Sequence, residues 1–290
     1  MKELSPDEIR SFQQERGLHV TGELNEQTQR ALEESRWKLG DRSLNLQPSP
    51  MMRGDDVAAL QARLTEMGFN AGRVDGIFGP KVVSAITDFQ LNIGVEGNGI
   101  CTPELVDALR RMGLQSGTGP GVAVVREAAE LNDAMTRDDA RVVVGHFAGT
   151  APLAVALTRR AREAHPLTTT VDGDASSQAQ AANRFQADVY VGFEVASDAG
   201  CTIYFYEVPT FFSAGGRNLA LRIAAAIAAR APELHVQTLG VRHPVLRETR
   251  MTAVLCSMGP HEVVSLKTNA VSTAICDALD AWRENPATEI

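Results

Sequence analysis

The chain has no run of about 18 apolar residues, the length at which a helix could span a bilayer. Its first residues, MKELSPDEIRSFQQERG, carry charge throughout and lack the apolar core of an export signal. On that reading the protein is expected in the cytoplasm. Positive charge is also short: 28 Lys and Arg against 36 Asp and Glu leave a net charge of -8. That balance argues against nucleic acid or an anionic membrane surface as the main partner. Cysteine is scarce, and Cys101, Cys201, Cys256 and Cys276 show no CxxC or metal-knuckle spacing. Three of them lie in or beside apolar runs, so small buried hydrophobes in a reducing compartment are expected rather than a disulfide or zinc framework. Aromatics make up only 5% of residues, yet hydrophobic residues reach 44% and charged residues 22%, the composition of a folded chain rather than a disordered one. A length of 290 residues suits about two domains.

The front of the chain repeats. Placed without gaps, IRSFQQERGLHVTGELNEQTQRAL lies over ITDFQLNIGVEGNGICTPELVDAL. Ile9, Phe12, Gln13, Gly17, Gly22, Ala31 and Leu32 then fall on Ile86, Phe89, Gln90, Gly94, Gly99, Ala108 and Leu109 at one constant offset. The second copy is complete. Val57, Leu60, Leu64 and Met67 share one helical face, as do Val82, Ile86 and Phe89, and then Leu105, Leu109 and Met112. Thr102 before Pro103 is an N-cap with proline at the first helical position, and AGRVDGIFG supplies glycines for a tight loop. A three-helix unit follows. The first copy lacks the opening helix and the DGxFG loop.

Asp75-Gly76-Ile77-Phe78-Gly79, followed ten residues later by Phe89-Gln90, resembles the signature of the peptidoglycan-binding domain family. The resemblance covers residues 54–112 and implies glycan-peptide binding, with Asp75, Gly76, Phe78, Gly79, Phe89 and Gln90 as the candidate ligand-binding residues. Read as residues alone, the same positions are a turn and core aromatics. The organisation expected is a partial repeat over 1–44, a joining stretch LNLQPSPMM at 44–52, a complete repeat over 54–112 and a third region over 113–139. Within that region, 113–121 is a Gly/Ser/Pro linker and 122–135 a candidate helix.

From residue 140 the pattern changes. Strand candidates at 141–144, 167–171, 188–195, 202–208 and 253–256 alternate with helix candidates at 151–164, 176–186, 218–229 and 268–282. Such alternation predicts an α/β layered domain over 140–285, with a mixed, mostly parallel sheet and helices on both faces. Four blocks in this region resemble the zinc-dependent N-acetylmuramoyl-L-alanine amidase family: RVVVGHFAG, AANRFQADVYVGFEVAS, GRNLALRIA and VLRETRMTAVLCSMG. That family holds one zinc with two histidines and a glutamate, and uses a second glutamate as general acid/base. Carried over position by position, the first histidine falls on Ala148, with His146 two residues early. The stretch that should bring the ligand glutamate, GTAPLAVAL, contains no acid. The second histidine falls on Glu194 and the catalytic glutamate on Ser257.

No catalytic or metal-binding residue is therefore expected, and no cofactor. The remaining histidines, His165, His235, His243 and His261, stand at element ends and are expected as exposed loop residues. Ser257 lacks a G-x-S-x-G elbow. The whole arrangement resembles an actinobacterial CwlM-like family, in which the amidase fold acts as a protein-interaction module. The resemblance implies an inactive regulator of cell-wall biogenesis. Its implied partners are the UDP-N-acetylglucosamine enolpyruvyl transferase of precursor synthesis and peptidoglycan or its precursors. The alternative is a working zinc amidase that hydrolyses peptidoglycan.

Overall fold

The computed structural model describes residues 4–112, 140–208 and 211–284. The chain divides into two compact units, Met1–Arg126 and Glu127–Ile290. The expected linker at 113–121 and the helix candidate at 122–135 lie outside the described residues.

The first unit is all helical: α1 (Pro6–Glu15), α2 (Glu26–Glu34), α3 (Asp55–Glu66), α4 (Pro80–Asn92) and α5 (Pro103–Met112). Ser5 opens α1 with a capping box, Asn25 caps Thr28 N on α2, and Thr102 Oγ1 accepts from Leu105 N at 3.3 Å before Pro103. Val57, Leu60 and Leu64 of α3, Val82, Ile86 and Phe89 of α4, and Leu109 of α5 form one buried core. Met67 only packs against that core, and Met112, expected inside, is 48% exposed, because α5 runs past the edge of the layer it covers. The stretch between the copies is not a plain connection. Leu44 is buried in the core of the second copy and forms an isolated antiparallel bridge with Cys101. Arg42 Nε donates to Asp56 Oδ2 at 2.7 Å, and Arg16 pairs with Asp55, which ties the end of α1 and the end of the first copy to the start of α3.

The second unit alternates β1 (Val142–His146), α6 (Ala151–Ala161), β2 (Thr168–Val171), α7 (Ala175–Arg184), β3 (Val189–Val195), β4 (Gly200–Val208), β5 (Phe211–Phe212), α8 (Ala214–Arg230), β6 (Val236–Val241), α9 (Pro244–Glu248), β7 (Thr252–Gly259) and α10 (His261–Glu284). The main sheet runs β2-β1-β3-β7-β4-β6, and β5 folds back on the end of β4. Its first four strands are parallel, β4 is antiparallel to β7, and β6 is parallel to β4. The sheet is thus mixed and mostly parallel. Side chains alternate along each strand. One face presents Val142, Val144, Val191, Phe193, Ile203, Phe205, Val254 and Cys256 to an apolar layer built by α6, α8 and α10, closed by Trp282. The short helices α7 and α9 pack together on the other side. β5, β6 and α9 were not legible in the sequence: two and five residues are too short for periodicity, and in β6 the adjacent Gln237 and Thr238 break the apolar alternation.

All four cysteines are free, and three are buried. Burial pushes the Cys101 and Cys201 thiols from the ordinary 9.0 up to about 12. The unfolded chain ionises these thiols near 9 while the folded protein keeps them protonated. Their contribution to stability is therefore complete below about pH 9 and is lost as pH rises toward about 12. Urea unfolding midpoints should fall between neutral pH and pH about 10.5, and Cys201→Ala should shrink that fall. An identical pH dependence in the variant would contradict the assignment.

Candidate functional site

Phe78, Phe89 and Gln90 of the peptidoglycan-binding signature turn inward. Phe78 and Phe89 are 0% exposed, with the Phe69 ring edge-on to Phe89 at 5.5 Å. Gln90 is buried, and its amide is fully engaged: Nε2 donates to Asn98 Oδ1 at 2.8 Å and Ile100 O at 3.1 Å, while Oε1 accepts from Gly99 N at 2.9 Å. Gln61 does the same to the DGxFG loop. Its Nε2 donates to Asp75 Oδ1 at 2.8 Å and Ile77 O at 3.3 Å, and Oε1 accepts from Gly76 N at 2.7 Å. In the first copy, Gln13 Nε2 donates to Thr21 Oγ1 and Glu23 O, and Oε1 accepts from Gly22 N at 2.8 Å. Each clamp grips a glycine of positive φ: 75° at Gly22, 70° at Gly76 and 69° at Gly99. The expected ligand-binding side chains Phe78, Phe89 and Gln90, together with the Asp75-Gly76 turn, are thus bound up in holding loops to helices. Gly79 serves as the N-cap position of α4. Of the six candidates, Asp75 and Gly79 keep part of their surface exposed, while Gly76, Phe78, Phe89 and Gln90 are buried. The sequence named Gln90 but missed Gln61, whose signal was a glutamine on the helix preceding a DG turn.

In the second unit the positions carried over from the amidase pattern lie at one end of the sheet. Parallel strands in such a sheet point their carboxyl ends at one crevice. There Glu194 of β3 pairs in register with Ser257 of β7, which is in turn opposite Thr202 of β4. Ala148 stands exposed in the turn after β1. That turn is pinned by Phe147 N donating to Phe193 O at 2.8 Å and by Thr150 Oγ1 donating to Phe193 O at 3.0 Å. The helix that follows, α6, has no acid in its first turn.

The floor beneath is filled. Gly145 and Gly192 are register partners on β1 and β3, and a Cβ on Gly145 would fall on the Tyr190 hydroxyl and Gln178 Oε1. Tyr190 donates to Gln178 Oε1 at 2.7 Å, and Gln178 Nε2 donates to His146 O and Gly173 O. Burial first, and the Glu194 charge second, raise the Tyr190 hydroxyl above its ordinary value, and the same two causes raise Tyr204. Glu194 is half-buried, and its negative field also reaches Cys256.

A zinc ion does not fit these residues. A tetrahedral site needs three or four nitrogen, sulfur or carboxylate ligands. His146 is the register partner of Phe193, so strand alternation puts it on the opposite side of the sheet from Glu194. Among the described residues no three His, Cys, Asp or Glu side chains gather where they could share a metal. Two histidines depart from the expected exposed loop positions. His165 is buried, with Nε2 3.0 Å from Asp280 Oδ1. His243 is buried as the N-cap of α9, its Nδ1 accepting from Val245 N and its ring 6.0 Å from that of Phe147. Both are held by fold contacts.

Residues 53–109 match the peptidoglycan binding domain family. The N-acetylmuramoyl-L-alanine amidase CwlM of Mycobacterium tuberculosis is 28% identical over 306 residues, covering 93% of this chain and 75% of that protein. The spore cortex-lytic enzyme of Halalkalibacterium halodurans is 40% identical over 58 residues, 20% of this chain and 18% of that one. Among solved structures, the N-acetylmuramoyl-L-alanine amidase AmiC2 of Nostoc punctiforme has a TM-score of 0.41 at 13% identity, covering 50% of this chain and 98% of that chain. An N-acetylmuramoyl-L-alanine amidase from Clostridium difficile 630 has a TM-score of 0.42 at 14% identity, covering 51% and 98%. In arrangement the chain is CwlM-like: a peptidoglycan-binding-type helical unit ahead of an amidase-like α/β unit.

Gly145→Ala drives a methyl group into the Tyr190–Gln178 pair, and overpacking of this kind costs about 1–3 kcal/mol. A urea midpoint equal to that of the parent protein would mean the tyrosine does not fill the floor.

Proposed function

We propose that the chain is a catalytically inactive, amidase-like regulator of peptidoglycan precursor synthesis that acts in the cytoplasm through protein–protein contacts. By its resemblance to CwlM-like regulators, the partner is the UDP-N-acetylglucosamine enolpyruvyl transferase. The observation that carries the reading is the Glu194–Ser257 pairing at the carboxyl ends of β3 and β7, with Ala148 beside the end of β1 and no acid opening α6. A metal-polarised amide hydrolysis needs an ion, a bound water and a proton-transfer group within reach. Here one half-buried carboxylate faces a serine, above a floor occupied by Tyr190. Ala148 and Ser257 also explain how the unit folds without a metal, since ligand charges left without their ion would each cost several kcal/mol. The helical unit adds recognition of peptidoglycan or its precursors through surfaces outside the buried signature.

The second reading is a zinc amidase acting on peptidoglycan, and the name carried by the mycobacterial relative favours it. Its requirement is a ligand set that the described residues of this chain do not offer.

Metal analysis of the purified protein should find no stoichiometric zinc, and incubation with muropeptides should release no peptide. About one zinc per chain, with cleavage, would overturn the inactive reading in favour of the second. Separately, the full chain added to the purified transferase should raise its rate of phosphate release. An unchanged rate at saturating concentration would remove that partner while leaving the inactive reading intact.

A further inference from the structure

We propose that Asn98 is a modification site, at which water replaces the side-chain amide by way of a cyclic imide formed with Gly99, and that the Gln90 clamp keeps the site shut while the helical unit is folded. Asn98-Gly99 is the one Asn-Gly pair in the sequence. Such a pair is labile, because a glycine puts no Cβ in the way of its own nitrogen as that nitrogen approaches the neighbouring amide. In the reaction, Gly99 N gives up its proton to water and bonds to Asn98 Cγ. The Cγ–Nδ2 bond breaks, and the nitrogen takes up a proton and leaves as ammonia. Water then opens the five-membered imide at either carbonyl, leaving aspartate or isoaspartate, with no change of oxidation state. Asn98 is exposed to solvent, and its Nδ2 makes no hydrogen bond among the described residues.

Two features of the loop decide whether that attack can start. Gly99 lies buried, with its N–H directed at Gln90 Oε1 at 2.9 Å. Asn98 Oδ1 is gripped by two donors, Gln90 Nε2 at 2.8 Å and Ile100 N at 3.0 Å. The same glutamine fixes nucleophile and target, so the bond can form only when the clamp lets go. Nor can the glycine be exchanged for a safer residue: its φ is 69°, and a Cβ there would stand 2.7 Å from Val83 Cγ1. The choice falls on the residue before it, and the three clamps make three choices, Thr21, Asp75 and Asn98. Of these only asparagine carries an amide that can leave. Asp75 also shows what the product does. Its Oδ1 accepts from Gln61 Nε2 at 2.8 Å and from Ile77 N at 2.9 Å, the counterparts of the two bonds at Asn98. An aspartate at position 98 therefore keeps the clamp closed. Isoaspartate adds a methylene to the main chain ahead of Gly99 N, so Gln90 can no longer hold Gly99 N and Ile100 O together. None of this chemistry depends on what the unit binds.

The test is peptide mapping by mass spectrometry of the full chain aged in mildly alkaline buffer, both folded and in guanidinium chloride. Modification that proceeds from an opened state tracks the population of that state, so the mass gain of amide-to-acid exchange at Asn98 should appear at least about tenfold more slowly in the folded chain. Gln90→Leu, which nearly keeps the volume and removes the clamp, should lose most of that protection while its helical circular dichroism persists. If it does not fold, Gln90→Asn, one methylene short of its partners, replaces it. Asn98→Asp should melt at the parent's thermal midpoint, and a clear fall overturns the tolerance of the aspartate product. Equal rates in the folded and denatured parent overturn the proposal, and so does a denatured chain that stays unmodified at Asn98. A folded Gln90 variant as slow as the parent overturns it as well.

Discussion

The in-register alignment of β1, β3 and β7 is the constraint on which the α/β unit rests. Because side chains alternate with a period of two, that register decides at once which residues meet α6, α8 and α10 and which look the other way. It sends Val144, Phe193 and Cys256 into the apolar layer. It also stacks Gly145 beside Gly192, opening a trough that the Tyr190 ring fills, and aligns Glu194 with Ser257 at the rim. His146 is excluded from that rim by the same rule: one residue of offset along β1 puts it on the wrong side of the sheet. The chemistry available at the crevice is therefore settled by backbone alignment before any side-chain preference enters.

A similar economy holds the helical unit together. Three glutamines, each on a helix, reach into the following loop and satisfy a glycine N–H and the carbonyl of the next residue. Buried main-chain groups of this kind cost about 1–3 kcal/mol each when left without partners. A side-chain amide, with donor and acceptor side by side, is the natural group to serve both. The Asp, Asn or Thr that precedes each glycine completes the clamp, and that recurrence is why the DGxFG turn is so distinctive in sequence.

The fold was readable wherever periodicity was strong. The three-helix copy, the alternating α/β region and the mostly parallel sheet follow from apolar spacing, caps and β-branched runs. The short elements were not, and β6 hid because an edge strand is only partly buried and its polar residues blur the alternation. Burial of single residues was less legible than element type. Met112 looks like Leu105 and Leu109 on a helical wheel, yet it overhangs the layer. His165 and His243 look like loop residues by neighbourhood, yet each is enclosed by a partner far along the chain or by its own helix start. At the candidate crevice, the substitutions at Ala148, Glu194 and Ser257 could be named from the sequence. The filling of its floor could not, since nothing in the order of residues says that Tyr190 lies across two glycines.

Leu44 has a consequence for how the helical unit comes apart. It belongs by sequence to the stretch joining the two copies, but by position it seals Cys101 inside the second, with Arg42 anchored two residues before it. The copies are therefore not beads on a string, each free to open and close by itself. Peeling the first away pulls a plug from the second, so local opening and loss of the core become a single event, and the unit behaves as one cooperative block whose weakest seam lies away from its joining stretch.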